Sequence, residues 1–172
     1  NRFSSIFGQI LHFFSKRELF ETVHATQAER GAKGFNCWDQ FLAMLFCQLG
    51  QAHSLREICG GLASCFGKAK HLGLRRAPKR STLSYANEHR PWQLYEQVFY
   101  QLLGRCQQLG FGKRKFRFHN KLFSLDATVI ELCASLFDWA KFRQTKGAVK
   151  LHLLLDHDGY LPVFAHITDG KT

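Results

Sequence analysis

The sequence predicts an α+β chain, all-helical and basic in its first part, β-rich and electrically neutral in its second. Three observations carry that division. Apolar residues recur at three- and four-residue steps as far as Leu109, whereas from Lys121 they alternate every second residue. Two capping boxes, Ser15 with Glu18 and Ser54 with Glu57, lie in the first part, and an Asp158-Gly159 turn between apolar runs lies in the second. All of the formal net charge of +11 falls in residues 1–120, which hold 18 basic and 7 acidic side chains, against six of each in residues 121–172. The expected domains are residues 1–118, helical and basic, and residues 119–172, built on strands.

Phe3, Ile6, Phe7, Ile10, Leu11 and Phe14 form the apolar stripe of a first helix. Ser15 caps a second, from Lys16 to about Gln27. After Gly31 and Gly34, Asn36 caps a third helix, CWDQFLAMLFCQL, apolar on nearly every side and stopped by Gly50. Phe41, Leu45, Phe46 and Leu49 are its core candidates. Ser54 opens a fourth helix with Leu55, Ile58 and Leu62 on one face, and a short fifth is expected over Lys68 to Leu72. Pro78 marks a loop, Ser81 caps TLSYANEHR, and Pro91 both ends that helix and starts the next. The last helix reads Trp92, Tyr95, Val98, Phe99, Leu102, Leu103, Cys106 and Leu109 down one face.

In the second part, Phe123, Leu125, Ala127 and Val129 alternate with Ser124, Asp126 and Thr128, the pattern of a strand. Leu132 to Phe142 reads as a connector. AVKLHLLLDH and YLPVFAHIT then flank Asp158-Gly159 as the arms of a hairpin with a two-residue turn.

Several classes are excluded. With 45% hydrophobic and 22% charged residues among 172, the chain can bury a core. No apolar run approaches the ~18 residues that cross a bilayer, so no membrane partner is expected. The chain opens on Asn1 rather than Met, so its first residue need not be the natural start, and Arg2 to Phe14 lacks a signal-peptide cleavage pattern. The cysteines at 37, 47, 59, 65, 106 and 133 form no C-x-x-C and stand at no zinc-finger spacing from histidine. They read as reduced, mostly buried thiols, which points to the cytoplasm.

The basic charge is clustered. Ile58 to Asn87 contains no acid but carries Lys68, Lys70, Arg75, Arg76, Lys79 and Arg80. Gln97 to Leu125 likewise carries Arg105, Lys113, Arg114, Lys115, Arg117 and Lys121. Clusters of this kind repel unless a polyanion lies against them, and nucleic acid is the expected partner. The run from Ser54 to Arg90 has the ingredients of a helix-turn-helix: capped short helices, glycines and a basic connector. Ser81, Thr82, Ser84, Asn87 and Arg90 suit a base-reading helix, with Arg76, Lys79 and Arg80 on phosphates and Lys113, Arg114 and Lys115 as a second basic group. The alternative is a polar helix surface beside a basic loop.

Asp126 stands within an otherwise apolar strand. A carboxylate there needs a partner, either a divalent cation or a backbone or lysine contact such as Lys150. Asp158 is a turn residue, Asp156 and Asp169 flank strand ends, and His152 and His166 can face each other across the hairpin. No Ser-His-Asp set, P-loop or G-x-G-x-x-G is present.

The stretch from KLFSLDATVIELC to VFAHITDGKT resembles the opening of the catalytic domain of bacterial DDE transposases of the insertion-sequence-four type. The preceding SLREICGGL, HLGL and KRSTLSYANEHRP are similar to the helical domain that commonly precedes it. RSTLSYANEHR, SLDATVI and TKGAVKLHLLLD are the most specific pieces. The resemblance implies a ribonuclease-H-like fold, of which this chain carries the first three strands. It also implies three acids holding two Mg²⁺ (or Mn²⁺) ions for in-line attack on phosphodiesters at transposon ends. Asp126, followed by Ala127 and Thr128, matches the first acid, both catalytic and metal-binding.

The second and third acids have no counterpart, and Asp169 in TDGKT belongs to a strand-end loop. The expectation is an amino-terminal portion of a transposase that binds double-stranded transposon-end DNA in the bacterial cytoplasm, at the nucleoid, without cleaving it alone. The runner-up is a non-enzymatic binder or inhibitor at the same ends. An incomplete sheet would also leave apolar surface and a strand edge exposed, favouring a homodimer or aggregation.

Overall fold

Among the described residues, six helices precede four strands, so the chain is α+β. The computed structural model describes residues 6–65, 73–74, 76–109, 120–133, 141–143, 146–158 and 160–169, with the backbone alone at 132–133, 141–143 and 146–147. The helices are α1 (Ile6–Leu11), α2 (Lys16–Thr26), α3 (Cys37–Leu49), α4 (Leu55–Ser64), α5 (Arg80–His89) and α6 (Gln93–Gln108). The strands are β1 (Phe123–Cys133), β2 (Lys141–Arg143), β3 (Lys146–Asp156) and β4 (Leu161–Asp169). Two compact units form, Asn1–Leu102 and Leu103–Thr172, and the division falls inside α6, earlier than the expected boundary after residue 118. The expected helix over Lys68 to Leu72 lies outside the described residues.

Capping sets the helix starts. The Ser15 hydroxyl accepts from the Glu18 N–H at 3.3 Å, and the Asn36 side chain from Asp39 N–H at 2.7 Å. Ser54 accepts from Glu57 N–H at 3.2 Å, while the Glu57 carboxylate takes the His53 N–H at 2.8 Å and the Ser54 hydroxyl at 3.2 Å. Those two donors, the His53 amide first, hold the Glu57 carboxyl below its ordinary value. α5 departs from expectation. It starts at Arg80 behind Lys79, which makes no side-chain capping bond, so Ser81 sits inside the first turn rather than at the cap. Lys79, Arg80 and Ser81 are all exposed, and water can satisfy the first N–H groups there.

The helical core is built around α3. Cys37 through Ala43 are buried on every side of its first two turns, including Phe41 and Leu42. Leu45 and Phe46 pack against this core from partly buried positions, whereas the fourth expected core residue, Leu49, is 47% exposed because the last turn emerges from the bundle. Leu19 and Val23 of α2, Ile58 and Leu62 of α4, Leu83 of α5 and Leu94 of α6 close around α3. Phe14 meets Phe41 edge to face at 4.9 Å, and Gln101 donates to the buried Thr22 hydroxyl at 3.1 Å. On α6 the expected stripe shifts: Leu94 is 1% exposed, while Trp92 and Leu109 are 63% and 74% exposed. The helix begins after Trp92, and its first turn aims Leu94 into the bundle.

The strand unit is an antiparallel sheet in which β3 pairs with β1 on one side and with β2 and β4 on the other. β1 runs through Cys133 and Lys141–Arg143 forms β2, so both ends of the expected connector are sheet. Asp156 pairs with Leu161, which leaves four residues between the arms rather than a two-residue turn. The Asp156 carboxylate accepts the Asp158 N–H at 2.9 Å, an Asx turn that starts the longer loop. Directly paired residues share a face. Asp126, Leu153 and Ala165 therefore stand on one face with Ile130, Leu151 and Ile167, and Leu125, Leu154 and Phe164 stand on the other with Val129. Both faces are apolar, and Leu125, Val129, Ile130 and Ile167 are exposed.

Candidate nucleic-acid interface

α5 carries most of the residues expected to contact DNA, and its packing sorts them. Leu83 is fully buried and Ala86 nearly so, which turns that side of the helix toward α3. At 100° per residue, Arg90 lies beside them, Asn87 and Arg80 are exposed at one margin, and Ser81, Ser84, Tyr85, Glu88 and His89 span the opposite, exposed arc. Thr82 lies at the margin, half-buried.

Asn87 and Arg90 meet at Gln40, a buried amide on α3 that must be hydrogen-bonded to be stable there. Gln40 donates to the Asn87 side-chain oxygen at 2.7 Å and accepts from the Arg90 guanidinium at 2.9 Å. The same guanidinium donates to the Asn36 carbonyl at 3.0 Å and to the Phe35 carbonyl, and lies 5.5 Å from the Phe35 ring centroid. Asn87 also donates to the Met44 sulfur at 3.5 Å. The two side chains best suited by type to read bases are thus bonded within the helical unit, tying α5 to the start of α3. Gln40 was not singled out in the sequence, since a lone glutamine in an apolar helix carries no signal of its partners.

The exposed cations remain available. Arg76, Lys79 and Arg80 lie on the surface at and before the start of α5. Lys113, Arg114 and Lys115 lie outside the described residues. Tyr85 and His89 also belong to this surface, and the sequence reading passed over them. Their rings stack at 3.8 Å between centroids and 18° between planes. His89 Nδ1 stands 3.0 Å from the Tyr85 carbonyl, which can only accept, so Nδ1 carries the proton in that bond. Their i, i+4 spacing opposite Leu83 and Ala86 is the signal that would have found them.

Beside α5 runs the loop from Ala28 to Asn36. The Glu29 carboxylate accepts the Cys37 N–H, closing the loop onto the start of α3. Gly31 and Gly34 take φ of 75° and 81°, a region open to glycine, and shape the turn. A cleft of about 330 Å³ separates this loop from α5, lined by Arg30, Lys33, Phe35, Thr82, Tyr85 and His89 among others. At the start of α3 the Cys37 thiol is pushed up to about 12 by burial, with Arg90 opposing and Glu29 adding to the shift. Burial likewise raises the Tyr95 phenol well above its ordinary value.

In the strand unit Asp126 is exposed on β1, with the Thr128 hydroxyl 3.4 Å from its Oδ2. Lys150 pairs with Val129 and so lies on the other face of the sheet, which removes it as the partner of Asp126. Asp169 pairs with Val149, four positions along β3 from Leu153, the residue opposite Asp126. That is about 13 Å along the strand, too far for one cation to bridge. Asp156 pairs with Lys121 at 3.6 Å, and His152 faces His166 with its Nε2 held 3.1 Å from the Thr168 hydroxyl. Among the described residues no three His, Cys, Asp or Glu side chains come together.

Residues 2–75 match the model of a family described as a domain of unknown function, DUF4372. That match covers α1 to α4 and stops before α5. No curated protein and no solved structure matches the chain. Among the described residues, no helix is long and apolar enough to cross a membrane.

Proposed function

We propose that the helical unit binds double-stranded DNA at transposon ends, and that the strands from Phe123 onward open the catalytic domain of a DDE transposase. The observation that carries the binding half is the group Arg76, Lys79 and Arg80. All three are exposed, and none forms an ion pair with an acid among the described residues. With the whole net charge of +11 in the first 120 residues, a polyanion relieves their repulsion through counterion release. Since Asn87 and Arg90 are bonded internally, phosphate contacts dominate, and base contacts on a duplex fall to the exposed Ser81 and Ser84 of α5.

The catalytic half rests on the resemblance of SLDATVI and on Asp126, an exposed acid on the first strand of a β1–β3–β4 antiparallel meander. Asp126 would supply one carboxylate toward Mg²⁺ or Mn²⁺, which such chemistry binds through several. This chain alone is therefore expected to bind DNA without cutting it. A second reading, a non-enzymatic binder or inhibitor at transposon ends, is favoured by the same lone carboxylate. The apolar residues exposed on both sheet faces also favour self-association, which sedimentation velocity over a concentration series measures.

The test is fluorescence anisotropy with a duplex from the terminal repeat flanking the gene and with a shuffled duplex, across a salt series. Binding should weaken steeply with salt, and Lys79→Ala or Arg80→Ala should each lower the logarithmic salt slope by about one. Asp126→Asn should leave binding unchanged. Absence of binding to either duplex at low salt would overturn the reading. Metal-dependent nicking by the intact chain, lost in Asp126→Asn, would remove the non-enzymatic alternative.

A further inference from the structure

We propose that the cleft between the Ala28–Asn36 loop and α5 binds an unpaired nucleotide of a DNA strand, its phosphate held by Arg30 and Lys33 and its base laid against Tyr85. This rests on the DNA-binding reading and gives it a second, single-stranded contact. The cleft encloses about 330 Å³, within the range of small-ligand sites. Its charge is one-sided. Arg30 and Lys33 are exposed on the loop, and neither pairs with an acid among the described residues. Glu29, the nearest acid in the loop, is turned away to the Cys37 N–H. Glu88, the one acid of α5, is not among the residues lining the cleft and stands 3.9 Å from His89 Nδ1.

The aromatic wall argues for a nucleotide rather than a bare anion. Tyr85 is 62% exposed although one face of its ring is already stacked on His89. The histidine is held by its bond to the Tyr85 carbonyl, so the stacked pair forms a platform. Base stacking on such a ring tolerates any sequence, but it needs a base face, and a duplex hides its base faces inside the stack. An overhang or frayed end offers one. The opposite wall is held in advance, because Arg90 bonds the Phe35 and Asn36 carbonyls and fixes the loop against α5. A cleft held open in this way loses little entropy on binding.

The experiment compares anisotropy of the full chain on a blunt duplex, on the same duplex with a short oligothymidine overhang, and on a matched oligouridine overhang. The overhang should bind more tightly than the blunt duplex. Tyr85→Ala should reduce overhang affinity about tenfold while leaving blunt-duplex affinity unchanged, and Tyr85→Phe should retain the advantage. Combined Arg30→Ala and Lys33→Ala should lower overhang affinity and flatten its salt dependence. All three positions are exposed, so these variants should melt like the parent. Equal binding of blunt and overhang duplexes would overturn the cleft assignment while leaving duplex binding intact. An equal effect of Tyr85→Ala on both duplexes would overturn it as well. Failure to bind any DNA would remove the DNA reading and the cleft assignment together. Tighter binding to oligouridine would overturn the assignment to DNA.

Discussion

The helical unit and the strand unit solve the same problem to different degrees. In the helical unit the apolar residues of five helices converge on α3, and the buried amide of Gln40 is satisfied by Asn87 and Arg90 from far along the chain. In the strand unit the backbone of β3 is paired on both sides, yet Leu125, Val129, Ile130 and Ile167 stand exposed. Hydrogen-bonding a sheet and covering it are separate tasks, because the ladder satisfies N–H and C=O groups while only side-chain burial supplies the hydrophobic term. Among the described residues, the helical unit does both, and the strand unit does the first, with burial at positions such as Ala148 and Val149.

The sharpest way to break this contrast is a matched pair of truncations. Leu42→Ala, at a position 1% exposed, should lower stability by about 2–5 kcal/mol in denaturant unfolding. Leu125→Ala, at 67% exposed, should change it by less than about 0.5 kcal/mol. Equal losses would mean that the sheet is covered in solution and that the contrast is false.

Removing the polar tie should have the next largest effect. Arg90→Ala strands Gln40 and the carbonyls of Phe35 and Asn36, and should cost about 1–3 kcal/mol. Arg90→Lys should not restore it, since one ammonium cannot reproduce a planar fork across three acceptors. Buried Trp38 reports the transition by fluorescence. An unchanged midpoint with weakened DNA binding would return Arg90 to the role of a base reader.

The smallest expected effect is at Glu57. Its carboxyl is held below the ordinary value by the His53 amide and the Ser54 hydroxyl. A depressed acid stabilises the fold above its unfolded value, and that contribution fades as pH falls through the folded one. Glu57→Gln should therefore lower helical-unit stability slightly near neutrality and flatten its acid limb, leaving little difference from the parent at low pH. Melting curves from neutral pH into the carboxylate range would show whether the limb persists.

The local elements were largely legible. Ser15, Asn36 and Ser54 announced three helix starts because a cap and the amide it accepts lie within three residues. The alternation from Phe123 and the apolar runs around Asp158 likewise marked β1, β3 and β4. Other features depended on distant partners. Helix periodicity put Trp92 and Leu109 on an apolar face, but the bundle buries Leu94 instead. Residue type recommends Asn87 and Arg90 for reading bases, but both are hydrogen-bonded to Gln40, a partner that residue type does not reveal.

By itself the sequence determined where helices begin, where the chain changes from helix to strand, and that its positive charge is confined to the first 120 residues. Those properties follow from interactions a few residues long or from composition. Only the tertiary structure decided which way each polar side chain of α5 faces. That choice is set by Leu83 entering the core and by Gln40, a buried amide nearly fifty residues away in sequence that has to be satisfied.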